Sequence, residues 1–388
     1  MAYLIKTKKA NINGELVKGF PILLWENNDI HWLSLNFFIE KYRNTVVKSI
    51  GTYAQHLQDI YWQIEYQEGI EEISDIDDDF LIAYKASIRS RGITSERKTE
   101  NTKNYAAQII GTVLLYCMWL EENGYSRNLI GTTKFHKIRI TLTVTGRIKH
   151  ALSKHKSTDK KALRAPREPW VEIVKRYGPK GQYVNKRFEL MVDWGRAAGL
   201  RADENCHLTV NQLPLRETAE KGILDGKNIY ILLTHTKGSI DKSIPVNPLL
   251  IKRTWDFIDA ERAALVQKIK IKIKIKIKIK NKNKKNKKEI YTENDFVFLS
   301  ERSGDPLLPS SFSREIRTGF LKAVDAGDLT EDERVWCHGL KHIFSVVLLK
   351  RLDEKGVRRP EAVARQATRH SSEGAMEPYL TERFNDDF

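Results

Sequence analysis

Hydrophobic positions change their spacing several times along this chain of 388 residues, and each change marks a different kind of element. Near the start, two short apolar runs, Tyr3-Leu-Ile5 and Phe20-Pro-Ile-Leu-Leu-Trp25, flank Asn13-Gly14, a dipeptide that favours a hairpin turn. Residues 1–30 are therefore expected to form a small β extension. From Leu33 the spacing becomes helical. Residues 46–65 and 76–91 repeat apolar and aromatic side chains every three or four positions. Residues 102–122 do so most clearly, with Tyr105, Ile109, Val113, Cys117 and Leu120 on one stripe and Asn123-Gly124 supplying a left-handed stop. The pattern then lapses. Residues 134–167 carry many Lys, Arg and His, few apolar runs and Pro166 near the end, which reads as a basic linker that either tracks a phosphate backbone or is a solvated tether.

After Trp170 helical and strand patterns alternate. Residues 187–198 read as a helix, 227–234 as an Ile/Leu/Tyr-rich strand and Lys242–Val246 as a short one, with Lys237-Gly238 in the turn between them. Residues 248–265, 309–326 and 340–354 are expected to be helical, with 296–299 beginning a new unit. Between them, residues 267–288 form an Ile/Lys/Asn-rich repeat. Strict alternation over 269–280 is a strand pattern, but positions filled only by lysine repel one another and the Asn/Lys tail has no apolar face. A low-complexity surface insertion is expected there, either tolerated or adding non-specific nucleic-acid affinity. The fold class that follows is α+β and mainly helical. It has a helical domain over 31–133 and a second domain with a small β-sheet over 168–388.

Composition supports two domains of ordinary size, since 41% of the residues are hydrophobic and eight are Trp. Cys117, Cys206 and Cys337 have no metal-ligand spacing and form an odd set, which points to neither a zinc site nor a disulfide framework and favours a reducing compartment. No apolar window reaches transmembrane length and the N-terminus has no export signal, so a cytoplasmic location without membrane contact is expected. The formal charge of +16 changes the picture less than it promises. Twelve lysines lie in the repeat, and without them the net charge is +4. Any case for nucleic acid must rest on where the remaining charges cluster.

Four sequence pieces could do chemistry. In Gly199-Leu-Arg201-Ala-Asp-Glu204 an arginine stands at a turn into a new helix, where a fixed guanidinium fork suits a phosphodiester; the plain alternative is a salt bridge with Glu204. Lys237 sits at a hairpin tip, able to reach a ligand and, beside other cations, to donate a proton; most such lysines are simply solvated. In His338-Gly-Leu-Lys341-His342 the three titratable groups share one helix face. A metal is discounted there, because no acid shares that face and the lysine would oppose a cation. Finally, His370 precedes Tyr379 by nine residues, and Pro378 would put the phenol in a first helical turn, where the dipole favours a phenolate. Either residue taken alone is more often structural.

Taken in order, Arg201, Lys237, His338, Lys341, His370 and Tyr379 resemble the active-site set of the tyrosine recombinases, the phage-integrase family. The resemblance runs over about residues 40 to 388 and implies a helical core-binding domain that clamps DNA, followed by an integrase-type catalytic domain. It implies site-specific cleavage and rejoining of double-stranded DNA through a 3′-phosphotyrosyl link, without metal or cofactor, in a homotetramer on paired sites and with room for accessory proteins. Such proteins belong to mobile genetic elements of bacteria and phages. Two departures stand out. Lys341 replaces the family's second arginine, keeping charge but losing the bidentate fork, and Thr368-Arg369 replaces Leu-Gly before the late histidine. Arg369 is thus a candidate to compensate, and a slow enzyme is the alternative. A DNA-binding accessory or regulatory protein with a decayed site, or a type IB topoisomerase-like enzyme, would share most of these features.

Overall fold

The computed structural model describes residues 2–17, 19–44, 50–91, 98–154, 165–236, 241–281, 293–369, 376 and 379–380. The chain divides into two compact units, Met1–Asp159 and Lys160–Phe388.

The first unit opens with nested strands. β1 (Tyr3–Lys6) pairs antiparallel with β4 (Pro21–Leu24), and between them β2 (Ala10–Ile12) pairs with β3 (Glu15–Val17). Asn13 and Gly14 both have positive φ, 54° and 85°, which is the backbone a two-residue hairpin turn demands. The strands lie in one core with helices α1 (Trp32–Asn44), α2 (Ile50–Tyr66), α3 (Asp78–Ser90) and α4 (Lys98–Glu122). Phe37, Tyr116 and Trp119 meet as an aromatic cluster at its centre. Gly124, at φ 73°, ends α4 as the sequence foretells.

Residues 134–154, the first part of the stretch read as a linker, are folded onto this unit. β5 (Ile130–Gly131) and β6 (Ile138–Arg139) pair in parallel, and β7 (Thr141–Leu142) pairs with β8 (Ile148–Lys149). Ile138 and Ile140 are buried, while His150 reaches Asp78 at 3.0 Å and Lys85 donates to the Leu152 carbonyl at 2.6 Å. Two isoleucines and a few polar tethers suffice to dock a segment whose composition is mostly basic.

The second unit contains α5 (Glu168–Arg176), α6 (Gln182–Ala198), α7 (Ala202–Cys206), α8 (Arg216–Asp225), the hairpin of β9 (Ile229–Leu233) and β10 (Lys242–Val246), α9 (Pro248–Phe257) and α10 (Ala263–Asn281). It closes with α11 (Pro309–Asp325), α12 (Cys337–Glu354) and α13 (Pro360–Thr368). α6 runs through the centre with Phe188, Met191 and Trp194 fully buried, and α12 lies against it. The approach is close because Gly195 has no side chain: a Cβ there would stand 2.8 Å from Leu340 Cδ1.

The alternating repeat is not a strand. As far as Asn281 it continues the helical path of α9 through one π turn into α10. The reason is tertiary: Leu265, Val266 and Ile269 are buried in the second core and Ile273 packs against it, a spacing of helix and not of strand. Glu293 fixes the helix through Arg262 at 2.9 Å and Lys270 at 3.1 Å.

Candidate active site

The first expected group is built by a broken helix. α6 stops at Gly199, whose φ of 64° is left-handed and whose Cβ position is filled by the Phe344 ring, so glycine is required on two counts. Two residues later Arg201 caps α7. Its backbone N–H donates to Glu204 Oε2 at 2.9 Å and its guanidinium Nη1 to Glu204 Oε1 at 2.8 Å. The salt bridge foreseen as the plain alternative is therefore present. Glu204 is only 3% exposed, however, so the pair fixes the guanidinium inside the unit and is not a mobile surface contact.

α12 brings up the second group. His338 is exposed in its first turn, Lys341 is 0% exposed and His342 is half-buried. Lys341 Nζ has no hydrogen-bond partner. Burial first, then the positive charges of Arg201 and Arg369, hold its pKa down at about 6, against a smaller opposing pull from Glu204. Lys242, at the start of β10, adds to the same positive field. Burial, followed by His338 and Lys341, likewise lowers His342 to about 4, so this ring is neutral at physiological pH.

Tyr379 is held in a short helical turn, its N–H donating to the Met376 carbonyl at 2.9 Å. It is 3% exposed and packs with Leu349, Ala364 and Met376, yet its ring also lies 5.0 Å from that of His342. His342 is 4.9 Å from His338 and 5.9 Å from Trp336, which makes a run of rings from the first turn of α12 to the tyrosine. Arg201, Lys341, His342 and Tyr379 are thus gathered in one region of the second unit. Lys237 and His370 lie outside the described residues.

Two features carry no mark in the ordered motif. The first is Arg369, buried to 6% exposure, whose Nη2 donates to the Gly199 carbonyl at 2.8 Å and to Glu204 Oε2 at 2.6 Å. Burial raises the cost of charging Glu204, but Arg369, the Arg201 N–H, the Arg201 guanidinium and Lys341 outweigh it and hold the carboxyl below its usual range. The second is a trio of Asp203, His207 and His235. His235 bonds Asp203 at 2.9 Å and stacks on His207 at 3.8 Å, which ties the end of the β9 hairpin strand, two residues before Lys237, to α7. Their ligand atoms lie within 4.8 Å of one another, the one arrangement among the described residues able to hold a metal ion. The signal for it in the sequence was only the His-x-Lys spacing of the hairpin.

No family model and no curated protein matches the chain. Solved structures do. The XerH site-specific recombinase, in a pre-cleavage complex with its difH substrate, is similar over 93% of this chain and 85% of that one, with a TM-score of 0.51 at 16% identity. The Tn1549 transposon integrase, in complex with circular intermediate DNA, is similar over 92% of this chain and 98% of that one, with a TM-score of 0.50 at 14% identity. These likenesses establish the fold: it is that of the tyrosine recombinases, α+β and mainly helical, as the sequence motifs imply. No helix among the described residues is long and apolar enough to cross a membrane.

Proposed function

We propose that the chain is a DNA strand-transferase of the tyrosine-recombinase type, a site-specific integrase that cleaves and rejoins double-stranded DNA with Tyr379 as nucleophile. The observation that carries this reading is the meeting of a buried tyrosine with a pocket of excess positive charge, where Glu204 is the single carboxylate among Arg201, Lys341 and Arg369. Such a pocket is made for an anion, and the recombinase fold around it favours a DNA phosphate.

In the proposed step the Tyr379 oxygen attacks phosphorus, the bond from phosphorus to the 5′-oxygen breaks, and a 3′-phosphotyrosyl link forms. The phenolic proton leaves with help from His338 and His370, and Lys237 gives a proton to the departing 5′-oxygen. Arg201 and Lys341 face the non-bridging oxygens, where charge builds up. Attack by a new 5′-hydroxyl on the link reverses these transfers, so rejoining needs neither a nucleotide nor a metal. Exchange between two sites then calls for four subunits on paired DNA, with accessory proteins setting direction.

The burial of Lys341 favours a second reading, a DNA-binding accessory protein whose site has decayed. Nicked suicide duplexes drawn from the DNA flanking the gene separate the two. A covalent adduct formed by the wild type and lost in Tyr379→Phe is the expected result. An adduct that survives Tyr379→Phe overturns the assignment, and one that appears only in Lys341→Arg supports decay.

A further inference from the structure

Arg369 occupies a backbone position that argues against arginine on every local ground. It ends α13 with φ 61°, the left-handed region that side chains other than those of Gly, Asn and Asp rarely adopt, and its side chain is almost wholly buried. Strain of this kind persists where the surroundings over-determine it, and it concentrates at functional sites. The surroundings here are specific. Glu204 Oε2 and the Gly199 carbonyl hold one nitrogen, while Nε and Nη1 are buried without a partner. Lys341 Nζ, in the same positive field, is buried without a partner as well.

Pairing with Glu204 does not account for this arrangement. That carboxylate already accepts the Arg201 N–H and guanidinium, and one negative charge cannot neutralise both Arg201 and Arg369. Three donor-bearing nitrogens left unsatisfied on two neighbouring basic side chains are costly unless an anion completes them. Lys341 stands where the sequence motif calls for a bidentate fork, and a point charge cannot supply one.

We propose that Arg369 is a catalytic residue that provides the second guanidinium of the phosphate clamp, reaching the non-bridging oxygens from the end of α13 while Lys341 fills the place of the missing arginine on α12. The inference rests on the strand-cleavage reading above and adds a residue to its site. The second guanidinium thus comes from the end of α13 and not from α12. Because the two side chains are buried, a phosphate that meets Arg369 and keeps Lys341 protonated gains strength from the low dielectric.

The test uses the full chain as wild type, Arg369→Gly, Lys341→Arg and the double variant. Glycine is the residue best suited to φ 61°, so Arg369→Gly relaxes the backbone and removes only the side chain. Inorganic phosphate should raise the melting temperature of the wild type and leave that of Arg369→Gly nearly unmoved. Adduct formation on the nicked duplexes should fall about 100-fold or more in Arg369→Gly, the loss of one transition-state donor, and return to within about tenfold of wild type in the double variant. An equal phosphate shift in wild type and Arg369→Gly, or a folded double variant no better than the single one, overturns the proposal. If phosphate discriminates between the two but no variant forms an adduct, the anion site stands and the cleavage reading falls. Should Arg369→Gly fail to fold, Arg369→Gln carries the same two readouts.

Discussion

Two buried carboxylates in the second unit gather cations in opposite ways. Asp193, on α6, is met by Lys175 at 3.0 Å, Arg196 at 3.0 Å and Arg253 at 2.8 Å. Arg253 is exposed and the other two are half-buried, so each cation keeps a share of water and the cluster is a structural brace. Glu204, one turn beyond the end of the same helix, has Arg201 half-buried and Lys341 and Arg369 fully buried. Both clusters set several cations around a buried acid, and in the first Glu172 also pairs with Lys175 at 3.3 Å and Arg196 at 2.7 Å. In the first the cations keep contact with water; in the second Lys341 Nζ and two nitrogens of Arg369 are buried without a partner. The count of ion pairs therefore does not separate the two clusters, whereas the burial of the cationic partners does.

The largest expected difference between the clusters comes from removing each acid. Glu204→Gln should cost about 3–5 kcal/mol in urea unfolding, because it leaves buried cations without a counter-charge. Asp193→Asn should cost about 1–2 kcal/mol, since its partners can turn to water. Equal losses would erase the distinction drawn here.

Next in size is a gain. Lys341→Met should stabilise the DNA-free protein by about 1–3 kcal/mol near pH 7, as a buried amine without partners gives way to an apolar chain. The sign with pH is fixed by the depressed pKa. Below its ordinary 10.5 the unfolded chain takes up a proton on this lysine, and the folded chain does so only near pH 6. Stability should thus decline as pH falls from about 10 to about 6 and show no further change from this group below that. Melting curves across the range should lose this slope in Lys341→Met; a slope that persists would place the cause elsewhere.

The smallest effect is at the rim of the brace. Arg253→Ala should cost less than about 1 kcal/mol, and 1 M salt should shrink that cost further. A penalty that is large and indifferent to salt would mean that Asp193, too, depends on a desolvated partner.

Much of the fold was legible because long helices carry their own periodicity. The stripe over 102–122, the stop at Gly124 and the Lys242–Val246 strand all appear where spacing places them. The repeat was expected to be a low-complexity surface insertion because its lysine positions repel one another, and only the packing of Leu265, Val266 and Ile269 against the second core makes its start a core helix. The site was legible in part. Arg201, Lys341 and Tyr379 stand out in sequence order, and the fold brings them into one region. Arg369 was visible as a departure from the motif, but its value depends on burial beside Glu204, 165 positions away in sequence. No local pattern encodes such a contact. The same holds for the tie of His235 to Asp203, which joins a hairpin to a helix 32 residues earlier.

The Ile-Lys helix has one more consequence. Its anchoring isoleucines, Ile269 and Ile273, come first in the repeat, and Ile271 between them is already 57% exposed. Those two anchors and the Lys270 pairing with Glu293 at 3.1 Å tie the first turns of the repeat to the second unit. The start of a sequence of low complexity is thereby a working part of the second core, held by shape on one side and by charge on the other.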